Sequence, residues 1–278
     1  MEIQWSLVLF TALTGLAAWL FICVAADEFL GRAKKAAFPA AVASLVVAIV
    51  GGLASVTHLS HPDRIMGALS HPTSGIFTEA VLIGCLIACV AIYLVLLKRG
   101  AGATARKVVA VIGAVFGVLL SFMAGESYLM SARPNWNTQL LPLGYMLTAI
   151  PSGVGAYLAV VGFVSGKDEG EGEGAVALDL KPYATALLVG GVLSAVGALA
   201  YTLSAGASDG AVFALLALAV VAGGVVPCAA GALLPKKMQS LVALGAASCV
   251  CALAGAIAYR CIMWLITVPV ADLFMAVI

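Results

Sequence analysis

The chain has 278 residues, 63% of them hydrophobic and only 10% charged, with a mean hydropathy of +1.14. Soluble domains carry about a quarter charged residues, so this composition excludes a water-soluble globular protein and marks an integral membrane protein. A net charge of +1 gives no electrostatic footprint for nucleic acid, and no nucleic-acid partner is expected.

A helix needs about 20 apolar residues, at about 1.5 Å of rise each, to cross the hydrocarbon of a bilayer. Eight stretches qualify: Trp5–Ala26, Phe38–His58, Ile76–Leu97, Lys107–Met130, Leu143–Ser165, Tyr183–Ser204, Ala211–Leu234 and Leu241–Ile266. Lipid offers the backbone no hydrogen-bonding partner, so each is expected to be helical. The predicted fold is therefore an all-α integral membrane protein, an eight-transmembrane-helix bundle forming a single membrane domain over residues 1–278. The first stretch is longer than a signal-peptide core and has only acidic Glu2 ahead of it, which reads as a retained span. The sixth and seventh are joined by AGASDG, a length that suits antiparallel neighbours. Residues 166–181 form an acidic, glycine-rich loop, expected to be flexible and on the cytoplasmic side. Gly190, Gly191, Ser194 and Gly197 fit close helix packing.

The cysteines lie almost entirely inside apolar runs and form no Cys-x-x-Cys pair, so neither zinc nor an iron–sulfur cluster is expected in this chain. No histidine lies deep in a span, which removes the axial ligands a membrane haem requires.

Orientation follows from the basic residues. Arg32, Lys34, Lys35, Lys98, Arg99, Arg106, Lys107, Lys167, Lys181, Lys236 and Lys237 flank the connections after spans 1, 3, 5 and 7, whereas the other connections carry only Arg64 and Arg133. By the positive-inside rule both termini face the outer side.

On this topology the scarce polar groups converge. Glu79 is about one turn inside span 3, Glu126 and Tyr128 end span 4, and Arg260 lies near the end of span 8, all toward the outer face and beside His58. A charge within the bilayer costs about 2.5–3.5 kcal/mol on the insertion scale, so each needs a partner or a purpose. Two readings are open. Glu79 or Glu126 pairs with Arg260 or Arg64 and only fixes the packing, or the groups line one polar pocket. In the second, Glu79 exchanges a proton with nearby water and His58 accepts one, because imidazole titrates near neutrality. The segment SARPNWNTQLLPLGYM (131–146) adds Arg133, Trp136, Asn137 and Tyr145, a rigid turn and an aromatic plate over the mouth of that pocket. Apolar walls with a few convergent polar groups suit a flat, lipid-soluble ligand. The competing class is a proton-coupled secondary transporter, which would place its charges near the midplane; Pro151 and Pro227, inside spans 5 and 7, are the features that favour it.

The stretch THLSHPDRIMGALSHPTSGIFTEA resembles the hallmark segment of the DmsC-type dimethyl sulfoxide reductase membrane anchor subunits, and NrfD-type anchors more distantly. It has the His-Leu pair ending span 2, the Pro-x-Arg turn and the Ser-x-x-x-x-Glu entry into span 3. ARPNWNT followed by PLGYM, and the AYRCIMW of span 8, are similar too. The resemblance implies a haem-free anchor in the cytoplasmic (inner) membrane that binds and oxidises menaquinol near the outer face. Its implied partners, docked on the outer loops, are an electron-transfer subunit with four iron–sulfur clusters and a molybdopterin catalytic subunit. By the resemblance the quinol-site histidine maps onto His58 and the essential glutamate onto Glu79; His61 stands where the family usually has a small residue, so two readings are open, His58 alone or both histidines. Arg64, Arg133, Trp136, Tyr145 and Arg260 complete the expected binding site.

Overall fold

The computed structural model describes residues 2–57, 74–168, 179–207, 209–236 and 240–266. Among them the chain is helical and without strands. The helices are α1 (Trp5–Leu30), α2 (Ala37–Val56), α3 (Gly75–Lys98), α4 (Ala103–Glu126), α5 (Leu140–Asp168), α6 (Lys181–Ser204), α7 (Gly210–Val220), α8 (Val226–Leu233) and α9 (Leu241–Ile266). A π-helical turn, Val221–Val225, joins α7 to α8, and together they make one span over Gly210–Leu233. Eight helical segments are thus long and apolar enough to cross a membrane.

Local chemistry sets the helix ends. Gly31 closes α1 in the left-handed region (φ 65°) and its N–H donates to Asp27 O at 2.7 Å, a position where a side chain would be strained. Ser74 caps α3, its Oγ accepting from Phe77 N at 3.2 Å, and Asp209 caps α7 by accepting from Ala211 N at 2.7 Å. Pro227 stands just past the π turn. A proline ring inside an α-helix collides with the carbonyl four residues earlier, and the wider turn opens the backbone where that collision would fall.

The spans pack as two four-span bundles side by side. In the first, α1, α2, α3 and α4 contact one another in a ring; in the second, α5, α6, α7–α8 and α9 do the same. Helices α1 and α5 form the seam between them, with α4 also touching α5 and α1 also touching α9. Lipid and side chains are similarly apolar, so this association rests on close van der Waals approach. At the α5–α9 contact a Cβ on Gly155 would stand 2.6 Å from Cys249 N, and one on Gly162 would stand 2.8 Å from Val242 N. Only glycine permits that approach.

Each end of the double bundle has its own polar ties. At one, Asn135 Nδ2 donates to Ile266 O (2.9 Å), Trp136 Nε1 to Met263 O (2.9 Å) and the Tyr201 hydroxyl to Asn135 O (3.2 Å). At the opposite end Asp27 accepts from Arg32 N (2.9 Å), Ala33 N (3.0 Å) and the Tyr183 hydroxyl (2.6 Å). Beside it, Glu28 accepts from the Tyr93 hydroxyl (2.7 Å) and Arg106 Nε (3.1 Å). We refer to these as the Trp136 end and the Asp27 end.

The Asp27 end corrects one expectation. Span 1 was expected to stop at Ala26, leaving every charge inside a span at a single end. Helix α1 instead continues to Leu30 and buries Asp27 at the other end. The burial is tolerated because two backbone N–H groups and a phenol satisfy the carboxylate.

Candidate functional site

The site is built from α3, α4, the turn between α4 and α5, α5 and α9. Helix α3 starts at its Ser74 cap, which sets Glu79 in the second turn, half-buried. Gly75 lies against Ser127 at the end of α4, since a Cβ there would fall 2.7 Å from Ser127 Oγ. Glu79 follows one turn further along α3 from this contact, and the Ser127 hydroxyl donates to Met123 O at 3.0 Å.

The next residue, Tyr128, is the hub. Its ring meets Trp136 edge-on at 5.7 Å between centroids, Trp264 at 6.0 Å and Tyr145 at 5.9 Å, while Trp136 and Trp264 meet at 5.3 Å. Burial above all, then Tyr145 and Glu79 nearby, push the Tyr128 phenol well above its ordinary value, against an opposing pull from Arg260. It stays protonated at neutral pH and keeps a hydrogen to donate. Tyr128 thus links the end of α4, beside Ser127, to Tyr145 of α5.

Arg260 is 1% exposed. Its Nε donates to Thr11 Oγ1 (2.8 Å), Nη2 to Thr11 O (3.1 Å), and Nη1 to Ala256 O (2.9 Å) and Thr148 Oγ1 (3.4 Å). Its Cζ lies 4.4 Å from the Tyr145 ring centroid, a cation–π contact. One guanidinium on α9 thereby ties α1 to α5, and the expected pairing of Arg260 with Glu79 or Glu126 is not found. A fork of five donors finds enough oxygen in threonine hydroxyls and helix carbonyls to be held without a carboxylate.

The turn ARPNWNT folds back on itself, with Trp136 N donating to Arg133 O (2.9 Å) and Asn137 N to Pro134 O (3.1 Å). Trp136 is buried and forms a wall rather than an open plate, and the Arg133 guanidinium lies 4.2 Å over its ring. Tyr145 is buried beneath, its hydroxyl on Met263 Sδ at 3.4 Å. Three polar atoms are buried with no hydrogen-bond partner among the described residues at this end, Glu126 Oε2, Trp264 Nε1 and Thr202 Oγ1. One Glu126 oxygen is thus enclosed where α4 ends.

The structure thus gathers Glu79, Arg133, Trp136, Tyr145 and Arg260 at the Trp136 end. His58, His61 and Arg64 lie outside the described residues; the chain leaves α2 at Thr57 and resumes at Ser74, flanking this end. Sequence reasoning missed Tyr128 as the centre, and Thr11, Thr148 and Trp264 as neighbours. Tyr128 carried a signal, standing two residues after a span-ending glutamate; a threonine inside an apolar run carries none. Among the described residues no three His, Cys, Asp or Glu side chains converge as a metal site.

Comparison with known families matches residues 1–171 to the model for the DMSO reductase anchor subunit, DmsC. No individual curated protein matches the chain. The match takes in α1 to α5, and with them Glu79, Tyr128, Trp136 and Tyr145. With eight membrane-length helices and more than half of its length covered by that family, the chain belongs to the DmsC family of DMSO reductase anchor subunits and is a multi-pass membrane anchor.

Proposed function

We propose that the Trp136 end binds a quinol, menaquinol by the family resemblance, and releases its electrons to an iron–sulfur partner subunit. That partner and a molybdopterin catalytic subunit would dock on the loops of the same end, facing out of the cytoplasmic membrane. One observation carries the reading: Tyr128, beside the Ser127 on which the start of α3 rests, packs against Tyr145 at 5.9 Å, and Arg260 of α9 lies 4.4 Å over that same Tyr145 ring. An aromatic wall with a half-buried carboxyl at its edge suits a flat hydroquinone ring with a hydroxyl at each end.

In this mechanism one quinol O–H donates to His58, which takes the proton as the O–H bond breaks. The second O–H passes its proton to Glu79, which hands it to water at the same face. Two electrons leave to the partner's nearest cluster and the ring becomes the quinone. Tyr128 donates to a ring oxygen and holds it in place, and Arg260 braces Tyr145, the ring on which Tyr128 packs. Arg64 and Arg133, on the connections after α2 and α4, position the headgroup, and His61 is the second candidate for the role of His58.

Glu79→Gln in the assembled complex tests this. Quinol-dependent turnover should fall by about a hundredfold or more, the range for losing a positioned proton acceptor. Turnover with a soluble donor that reduces the iron–sulfur partner directly should remain. Undiminished quinol turnover removes Glu79 from the site; loss of both activities assigns it to assembly.

A further inference from the structure

At the Asp27 end, the lipid-facing side of the α1–α4 seam carries a groove. It encloses about 460 Å3 and is lined wholly by apolar side chains, among them Ile22 and Phe29 of α1 and Val115 and Leu119 of α4. A second hollow of about 380 Å3 shares Phe29 and Val111 with it and adds Thr104 and Lys107 toward the start of α4. Phe29 is 58% exposed and stands between the two, with Lys107 Nζ 4.9 Å from its ring centroid. The nearest carboxylates are taken: Glu28 by Arg106 and Tyr93, Asp27 by its backbone donors and Tyr183. Lys107 therefore has no carboxylate partner among the described residues. Helix α4 also begins without a side-chain cap, so its first amides add partial positive charge beside Thr104.

We propose that the two hollows form one site for an anionic phospholipid, its acyl chains on either side of Phe29 and its phosphate on the Lys107 ammonium and the Thr104 hydroxyl. Dimensions agree. Lys107 to Leu119 spans about 18 Å along the helix, close to the roughly 15 Å depth of one leaflet's hydrocarbon. A chain starting at Lys107 ends near the midplane. Apolar walls alone accept any chain; the unpaired ammonium at the mouth selects a negative headgroup over a zwitterionic one. An isoprenoid tail would leave Lys107 without an anion. The site stands apart from the quinol reading and from the Trp136 end.

The test uses the purified full chain in nanodiscs of equal parts phosphatidylglycerol and phosphatidylcholine, with the lipid retained on release into the gas phase counted by native mass spectrometry. Phosphatidylglycerol should be enriched on the wild-type chain, and Lys107→Glu should lower its ratio to phosphatidylcholine by about fivefold or more. Val115→Trp, on an exposed groove position, should reduce retention of both lipids. Arg99→Glu, a charge reversal at the same end outside the groove, should leave the ratio unchanged; should Lys107→Glu fail to fold, Lys107→Gln serves with a smaller drop. Equal retention of the two lipids, an equal loss in Arg99→Glu, or a quinone retained in place of phosphatidylglycerol overturns the proposal.

Discussion

Arg260→Met separates a structural from a functional cation. The guanidinium makes three hydrogen bonds of 3.1 Å or less and a fourth at 3.4 Å, with no carboxylate among its partners. At about 1.5–3 kcal/mol for each bond to a charged group, the three short ones supply about 5–9 kcal/mol. Removing an ion from water costs several kcal/mol, in the same range. The groups left behind are not orphaned: Thr11 Oγ1 still donates to Leu7 O (2.9 Å), Thr148 Oγ1 still donates to Gly144 O (2.7 Å), and the Thr11 and Ala256 carbonyls stay in their helices. Arg260→Met, with an unbranched apolar side chain of similar reach, should therefore change unfolding stability by less than about 2 kcal/mol. Its quinol-dependent turnover should fall at least tenfold, because no charge remains over Tyr145. Arg260→Lys should also lose turnover, since one ammonium cannot reach Thr11 and Thr148 together. The assays are thermal unfolding in lipid nanodiscs and quinol-linked turnover of the assembled complex. A stability loss above about 4 kcal/mol would make Arg260 a structural tie with no surplus left for chemistry, and full turnover would exclude it from the site.

Three further outcomes follow from contacts elsewhere. Asp27→Asn puts an amide NH2 in the place of Oδ2, against the Ala33 N–H, while the amide oxygen keeps Arg32 N and the Tyr183 hydroxyl; about 2–3 kcal/mol of stability should be lost in a denaturation series, with quinol turnover per folded complex unchanged. Trp136→Phe keeps the ring packing but drops the N–H bond to Met263 O, and should cost about 1–2 kcal/mol by the same measurement. Gly155→Leu drives a side chain into the α9 backbone at Cys249, and should cost at least about 3 kcal/mol or abolish accumulation in the membrane, read by immunoblot.

Spans were legible in the sequence because the bilayer imposes a single rule on them, an apolar run long enough to cross, and α3, α6 and α9 answer it almost residue for residue. Helix ends were less legible. Asp27 looked like a loop residue because hydropathy counts a carboxylate as a stop, whereas α1 continues through it once Tyr183, 156 positions away, and the following turn supply donors. The same blindness applies at the Trp136 end. Glu79 and Arg260 stood out as ionisable groups in apolar runs, but the partners of Arg260 are hydroxyls and carbonyls, which no charge pattern reveals. Tyr128 was visible only as an interfacial aromatic. Its place between Trp136, Trp264 and Tyr145 depends on α9 crossing beneath the α4–α5 turn, and the sequence carries no register for that crossing.

The two ends of the bundle differ in how their buried acids are held, and this difference supports the proposed placing of the quinol site. At the Asp27 end the buried acids are matched: Asp27 by three donors, Glu28 by Arg106 and Tyr93, and Arg32 on the surface by Asp179 at 3.0 Å. At the Trp136 end Arg260 is held by neutral oxygens, and Glu126 Oε2, Trp264 Nε1 and Thr202 Oγ1 by no group among the described residues. Each unpaired buried polar atom costs about 1–3 kcal/mol, and tight packing at the α5–α9 seam offsets such costs without removing them. The Asp27 end demonstrates that this same chain can pair its buried acids. The Asp27 end has a shortfall of its own, the buried Tyr157 hydroxyl, so the contrast between the ends lies in their acids. Those at the Asp27 end are matched, while the Glu126 oxygen at the other is left for a donor such as the hydroquinone hydroxyl of the proposed function. Arg260 extends that argument beyond the family-matched residues 1–171, because its bonds to Thr11 and Thr148 make α9 part of the same polar end.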